Sequence, residues 1–235
     1  MSRDFDHVII ALDTPHEQKA LETVRILKKK ISIFKVGLEL FCSTGPDIVR
    51  KINMEGCRVF LDLKFHDIPN TVAGAARAAA NTGAFMFNVH ASGGREMMIR
   101  AKEEIDKSNS AQRPLILAVT VLTSLDDQDL KDINITKSTL DQAVDLAKLA
   151  KECGLDGVVA SPKEISAIRQ AQGRDFIIVT PGVRPTWAAP GDQKRVMTPA
   201  QALEAGADYI VIGRPVTAAP DPIKAVEAIF EESSH

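Results

Sequence analysis

Cysteine is scarce in this sequence: Cys42, Cys57 and Cys153 are the only three in 235 residues. They are odd in number and far apart, with no CxxC pair and no histidine at zinc-site spacing. That argues against a disulfide framework or a structural metal and leaves buried or incidental thiols. An excess of charge of one sign is also missing. The 29 basic and 31 acidic residues are interspersed and sum to a formal charge of −2, so neither nucleic acid nor an anionic membrane is an expected partner. Any bound anion must be held locally. No apolar stretch approaches the roughly 20 residues of a membrane span, and the segment from Met1 to His7 carries Arg3, Asp4 and Asp6 without an apolar run. A signal peptide is therefore not expected, and the reading is a cytoplasmic protein. No Pro/Gly/Ser-rich linker divides the chain, so residues 1–235 are read as one domain. Finally, there is no GxGxxG after a strand and no GxxxxGK[ST], which leaves a nicotinamide or ATP role unsupported.

What is present is an alternation. Short β-branched and apolar runs recur at 7–13, 33–37, 58–64, 85–91, 115–123, 157–161, 176–182 and 209–213. Between them lie segments of helical period such as EQKALETVRILKK, TVAGAARAAANTG and TLDQAVDLAKLAKE. Strand and helix in turn imply a parallel sheet. Gly56, Gly83, Gly154 and Gly206 each stand just before a strand, where a helix would be capped, as though one βα unit were reused. Eight such units predict a (β/α)8 TIM barrel, with a doubly wound open sheet as the alternative architecture. The longest irregular stretches, 123–138 and 183–197, follow the fifth and seventh strands. Both lie where a barrel keeps its active site.

Side chains alternate along a strand, so in RVFLDLK the residues Phe60, Asp62 and Lys64 share one face and Leu61 and Leu63 the other. The apolar face belongs against the helices, which turns Asp62 and Lys64 into the barrel at its C-terminal end. Buried charges there are costly unless they pair or do chemistry. Asp13, Lys35, Asn88 and His90 end or line neighbouring strands. A buried ion-pair network that fixes register would explain a single pair; ionisable groups at Asp13, Lys35, Asp62, Lys64 and Asp67 together favour catalysis. At the other side of the mouth, TPGVRP (180–185) and IGRP (212–215) place Gly213, Arg184 and Arg214 after the seventh and eighth strands, the usual phosphate cradle of this fold. The alternative for the two arginines is a pair of solvated surface cations.

DLKFHDIPNT (62–71) resembles the D-x-K-x-x-D-I-P-x-T motif of the orotidine 5′-monophosphate decarboxylase family. The resemblance continues, in family order, through ALD (11–13), KVGLEL (35–40), VLTS (121–124), TPGVRP, Gln193 and IGRP, and so covers nearly the whole chain. It implies cofactor-independent decarboxylation of orotidine 5′-monophosphate to uridine 5′-monophosphate, the last step of de novo pyrimidine nucleotide synthesis. By the same resemblance Lys64 donates a proton to C6 within a charged array of Asp62, Lys64, Asp67 and Lys35. Asp13 and Lys35 would hold ribose hydroxyls, Thr123 the pyrimidine, Gln193 both base and phosphate, and Arg184, Gly213 and Arg214 the phosphate. Asp67 and Thr71, with Ile68 between them in the motif, would complete the site of a partner subunit, making a homodimer with active sites at the interface.

The chemistry suits these residues. Loss of carbon dioxide leaves an electron pair in the ring plane, out of reach of the π system, so preorganised positive charge must stabilise it. A buried ammonium is costly alone, and the flanking carboxylates of Asp62 and Asp67 offset that cost. No metal or organic electron sink is required. A magnesium-dependent sugar-phosphate lyase sharing D-x-K-x-x-D is the nearest rival, disfavoured by IPNT and PGVRP. A catalytically silent nucleotide-binding barrel is the other. His66, His90 and Trp187 are assigned no role, because a structural histidine or a packing tryptophan explains them equally well.

Overall fold

Eight parallel strands pair in sequence order and close, β8 bonding back to β1, as the computed structural model shows for residues 5–107, 113–188 and 197–233. The order is β1 (Val8–Ala11), α1 (Glu17–Leu27), β2 (Ile33–Gly37), α2 (Leu38–Thr44), α3 (Asp47–Met54), β3 (Arg58–Phe65), α4 (Pro69–Asn81), β4 (Met86–His90) and α5 (Arg95–Asp106). It continues with β5 (Leu115–Val119), α6 (Asp127–Asp132), α7 (Thr139–Glu152), β6 (Gly157–Val159), α8 (Ile165–Gln172), β7 (Ile177–Thr180), α9 (Pro199–Glu204), β8 (Tyr209–Ile212), α10 (Arg214–Thr217) and α11 (Pro222–Ser233). The expected barrel is the observed architecture, and the open sheet is excluded.

Period-two patterning divides the strands between two cores. Ile9, Ala11, Ile33, Phe60, Met86, Leu117, Val119, Val159, Val179 and Val211 point inward and fill the barrel. Their neighbours, among them Ile10, Phe34, Leu61, Phe87, Ile116 and Ile178, point outward and meet the helices in a second, larger core. Burying one such side chain contributes about 1.5–3 kcal/mol, so a register slip of one residue would forfeit a whole layer. The N-terminal mouth is plugged: Phe85, Leu115, Ile177 and Tyr209 pack beneath the inner core. The Arg58 guanidinium lies 4.4 Å from the Phe85 ring centroid. The barrel can therefore admit a ligand at its C-terminal end.

The repeat glycines have the expected role. Gly56, Gly83, Gly154 and Gly206 have φ of 80°, 81°, 76° and 108°, left-handed positions that end α3, α4, α7 and α9 before the next strand. Two expectations need correction. The stretch 123–138 is not irregular throughout, because Asp126 accepts from the backbone N–H of Gln128 and Asp129 and starts α6 with a capping box. And β3 does not run straight through its charged end. Leu61 pairs with Phe87 and Phe65 with Val89, so the three residues Asp62, Leu63 and Lys64 stand opposite the single residue Asn88. Lys64 itself has φ of 53°, an unusual conformation for a residue with a β-carbon.

Candidate active site

The inner layers of the barrel are apolar until the last one. Two residues beyond Ile33, Phe60 and Met86 on the same faces come Lys35, Asp62 and Asn88, and two beyond Ala11 comes Asp13. These polar ends interlock. Lys35 Nζ lies 3.1 Å from Asp13 Oδ1 and 3.6 Å from Asp62 Oδ2. Lys64 Nζ donates to Asp62 Oδ1 at 2.7 Å, and Asn88 Nδ2 donates to the same oxygen at 2.7 Å. The Lys64 backbone N–H in turn donates to Asn88 Oδ1 at 2.8 Å. Asp62 is only 9% exposed. Burial acts to raise its carboxyl, but the ammonium charges of Lys35 and Lys64 and the hydrogen bonds from Lys64 and Asn88 outweigh it and hold the group below the usual carboxylate range.

Lys35 owes its position partly to a missing side chain. Gly37 is extended, a conformation any residue adopts, yet a β-carbon there would sit 2.9 Å from Lys35 Nζ and 3.7 Å from Asp13 Oδ1. The space left by glycine holds the ammonium group between its two carboxylates.

Above this array opens a cavity of about 540 Å³, a volume suited to a small molecule. Asp13, Lys35, Asp62, Lys64, Thr123, Arg184, Gly213 and Arg214, all expected at the site, line it. The remaining wall is apolar, from Phe60, Val119, Val121, Val159 and Val211. Arg184 is carried by the loop after β7, which forms a bridge between Val183 and Met197, and the Arg184 N–H donates to the Met197 carbonyl at 3.0 Å. Gly213 ends β8 and precedes α10, and a β-carbon at Gly213 would meet Asp13 Oδ2 at 3.5 Å.

The other expected residues divide as follows. Asp67, Ile68 and Thr71 do not line the cavity of their own chain. All three are exposed at the start of α4, and Ile68 is 68% exposed despite its apolar side chain. Asp67 accepts the Ile68 N–H at 2.7 Å. Gln193 lies outside the described residues, as does most of the 183–197 loop beyond Ala188. His90 also stands outside the cavity lining, its ring 5.4 Å from that of His66. Burial first, then the nearby His66 and Lys64, holds the His90 imidazole below its ordinary value, with Asp62 acting in the opposite direction. Asn88 is the residue that pattern reading passed over: alternation placed it at the mouth, but nothing in the sequence showed that its amide would join Asp62 to Lys64.

A closed (β/α)8 barrel that sets a paired lysine-carboxylate array against two arginines after β7 and β8 defines the class, a barrel enzyme whose site is built for a phosphorylated small molecule. Over residues 6–229 the sequence matches the family described as Orotidine 5'-phosphate decarboxylase / HUMPS, and the chain belongs to that family. It is 53% identical over 231 residues to Orotidine 5'-phosphate decarboxylase of Moorella thermoacetica, covering 97% of this chain and 92% of that protein. Against the protein of the same name from Geobacter metallireducens the identity is 53% over 238 residues, covering 99% and 98%. Among solved structures, orotidine 5'-phosphate decarboxylase from Lactobacillus acidophilus superposes with a TM-score of 0.85 at 40% identity, covering 98% of this chain and 100% of that one. The enzyme from Pyrococcus horikoshii gives 0.78 at 30% identity, covering 97% and 99%.

Proposed function

We propose that the protein decarboxylates orotidine 5′-monophosphate to uridine 5′-monophosphate in the cytoplasm, without a metal or organic cofactor. The observation that carries this reading is the linked array Asp13, Lys35, Asp62 and Lys64 at the floor of a cavity also lined by Arg184, Gly213 and Arg214. The nucleotide phosphate sits against Arg184, Arg214 and the Gly213 backbone, with Gln193 bridging phosphate and base. Thr123 meets the pyrimidine, and Asp13 and Lys35 take the ribose hydroxyls. C6 then lies beside Lys64. As the bond between C6 and the carboxylate breaks, carbon dioxide leaves and its bonding pair stays on C6 in the ring plane. The Lys64 ammonium stabilises that pair and transfers a proton to it, and the neutral amine recovers a proton from solvent. Asp62 holds the ammonium in place and balances its charge.

The mature site is shared in a homodimer. Asp67, Ile68 and Thr71 are exposed together beside the mouth and contribute nothing to their own cavity, which suits residues that complete the site of a partner. Among the described residues no helix is long and apolar enough to cross a membrane.

The activity is tested by mixing the purified protein with orotidine 5′-monophosphate in buffer containing EDTA. Stoichiometric carbon dioxide and uridine 5′-monophosphate are expected; no turnover near neutral pH, or turnover abolished by the chelator, contradicts the proposal. The shared site is tested by hybrid dimers of Lys64→Ala and Asp67→Ala chains. Each hybrid contains one intact site and regains activity, whereas verified heterodimers as inactive as their parents would contradict sharing.

A further inference from the structure

The observation that leads furthest is the bulge in β3. Three residues of that strand face one residue of β4, and two of the three carry the charges of the site. Such a bulge leaves a residue unpaired in the ladder, and its backbone donor must be satisfied by another group. Here one side chain meets that donor. Asn88 is 0% exposed and sits on the inner face of β4, two residues beyond Met86. Its amide uses both ends: Oδ1 accepts the Lys64 backbone N–H at 2.8 Å, and Nδ2 donates to Asp62 Oδ1 at 2.7 Å.

We infer that Asn88 is a positioning residue for the proposed decarboxylation, holding Lys64 in its left-handed backbone conformation and fixing the orientation of the Asp62 carboxylate that Lys64 must face. The inference rests on the functional reading above and deepens it.

The geometry supports this in three ways. A lysine at φ of 53° persists only where the surroundings over-determine it, and the bond to Asn88 Oδ1 supplies that constraint at the residue itself. The Asp62 carboxylate receives Lys64 Nζ and Asn88 Nδ2 on the same oxygen, leaving Oδ2 facing Lys35. Without Asn88 the carboxylate would be held only by the two lysine ammonium groups, whose long side chains can follow it, so the gap between Lys35 and Lys64 would be set less tightly. An asparagine also does what no charged residue could do there. It donates to one group and accepts from the other without adding charge to an array already containing Asp13, Lys35, Asp62 and Lys64, with His90 nearby.

Asn88 touches neither the cavity nor, by this account, the substrate. Its loss should therefore alter how well the reacting groups are placed more than how tightly nucleotide binds. It should also change the protonation of Asp62. The amide N–H helps keep that carboxylate ionised, so its removal moves the acid limb of the activity profile to higher pH, toward the ordinary carboxylate value.

The test compares Asn88→Leu, close in size but unable to hydrogen-bond, with Met86→Ala, a core substitution on the same strand face. In the folded Leu variant kcat is expected to fall about 100-fold, the scale of a misplaced reacting group, with little change in KM. The acid limb of kcat should move to higher pH, because the carboxylate loses a hydrogen bond that favours its ionised form. Met86→Ala should lower thermal stability without moving the acid limb. If the Leu variant does not fold, Asn88→Ser, with a shorter polar side chain, is expected to show the same two changes in smaller measure. A crystal structure of either variant should show Lys64 out of the left-handed region or the Asp62 carboxylate rotated. Wild-type kcat and an unmoved acid limb in a folded Asn88 variant would overturn the inference, as would an equal acid-limb change in Met86→Ala. Failure of the wild-type chain to turn over orotidine 5′-monophosphate would instead contradict the functional reading, and the crystallographic comparison would still decide whether Asn88 sets the Lys64 backbone.

Discussion

The two halves of the barrel mouth are built on opposite principles. In β1 to β4 the inward apolar column gives way at its last layer to Asp13, Lys35, Asp62 and Asn88, each tied to a neighbour. In β5 to β8 the inward column stays apolar, through Val119, Val159 and Val179, and ends at Gly213 after Val211, with Arg184 on the loop after β7 and Arg214 at the first position of α10. The first half pairs opposite charges around a buried Asp62 and so keeps them fixed, and charge held in place beside a reacting bond acts strongly on it. The second half offers a greasy wall, a close backbone approach and cations just beyond the strand ends, which suits recognition of a base and a phosphate. On the proposed function the chemistry falls to the first half and the base and phosphate contacts to the second, with Asp13 and Lys35 adding ribose contacts to the charged array, and substitutions should separate the two.

Lys64→Ala tests the charged half and should have the largest effect. On the proposed mechanism it removes both electrostatic stabilisation and the proton donor, so kcat should fall by about 10⁴-fold or more; a variant with near-normal turnover would remove Lys64 from the chemistry. Arg214→Ala tests the other half. Loss of one charge-assisted phosphate contact should weaken kcat/KM by about 10–100-fold, mainly through KM. An effect confined to kcat would contradict the division, because it would mean that the phosphate contact acts on the chemical step and not on binding.

The smallest expected effect concerns stability at the edge of the charged half. His90 is held below its ordinary value of 6.5 by burial first and then by His66 and Lys64, against the pull of Asp62. As pH falls through 6.5, the unfolded chain takes up a proton that folded His90 still refuses, so stability declines until the lower folded value is passed. His90→Gln removes that difference, and between pH 7 and 5 its Tm should fall by a few °C less than that of the unaltered chain. Identical profiles would show that His90 carries no such linkage.

Much of this division could be read from the sequence, because it follows the two-residue period of strands. Apolar alternation marked eight strands, and the polar residues that interrupt it at Asp62, Lys35 and Asn88 marked the charged half. The four glycines ahead of strands announced the repeat because left-handed caps favour glycine so strongly. What escaped had no local sign. A lysine gives no warning of a positive φ, as a glycine or asparagine would, so the bulge at Lys64 emerged from pairing with β4. Helix α6 has six residues and a single buried side chain, Leu130, too few to show a period, although the Asp126 and Asp129 capping pair was available to find it. Asn88 pointed to the mouth by alternation, yet direction alone did not reveal that it bonds two different residues of the neighbouring strand.

On the proposed function the charged half performs the reaction, while the opposite half holds the base and phosphate of the nucleotide. The most direct test of that division is the dissociation constant of uridine 5′-monophosphate measured by calorimetry in Lys64→Ala and Arg214→Ala, beside the turnover of each. A crossover is expected: Lys64→Ala binds the nucleotide within about tenfold of the unaltered chain yet is nearly inactive, and Arg214→Ala binds it about 10–100-fold more weakly, by the value of one charge-assisted contact, yet keeps most of its kcat. Equal losses of binding and of kcat in both variants would contradict it.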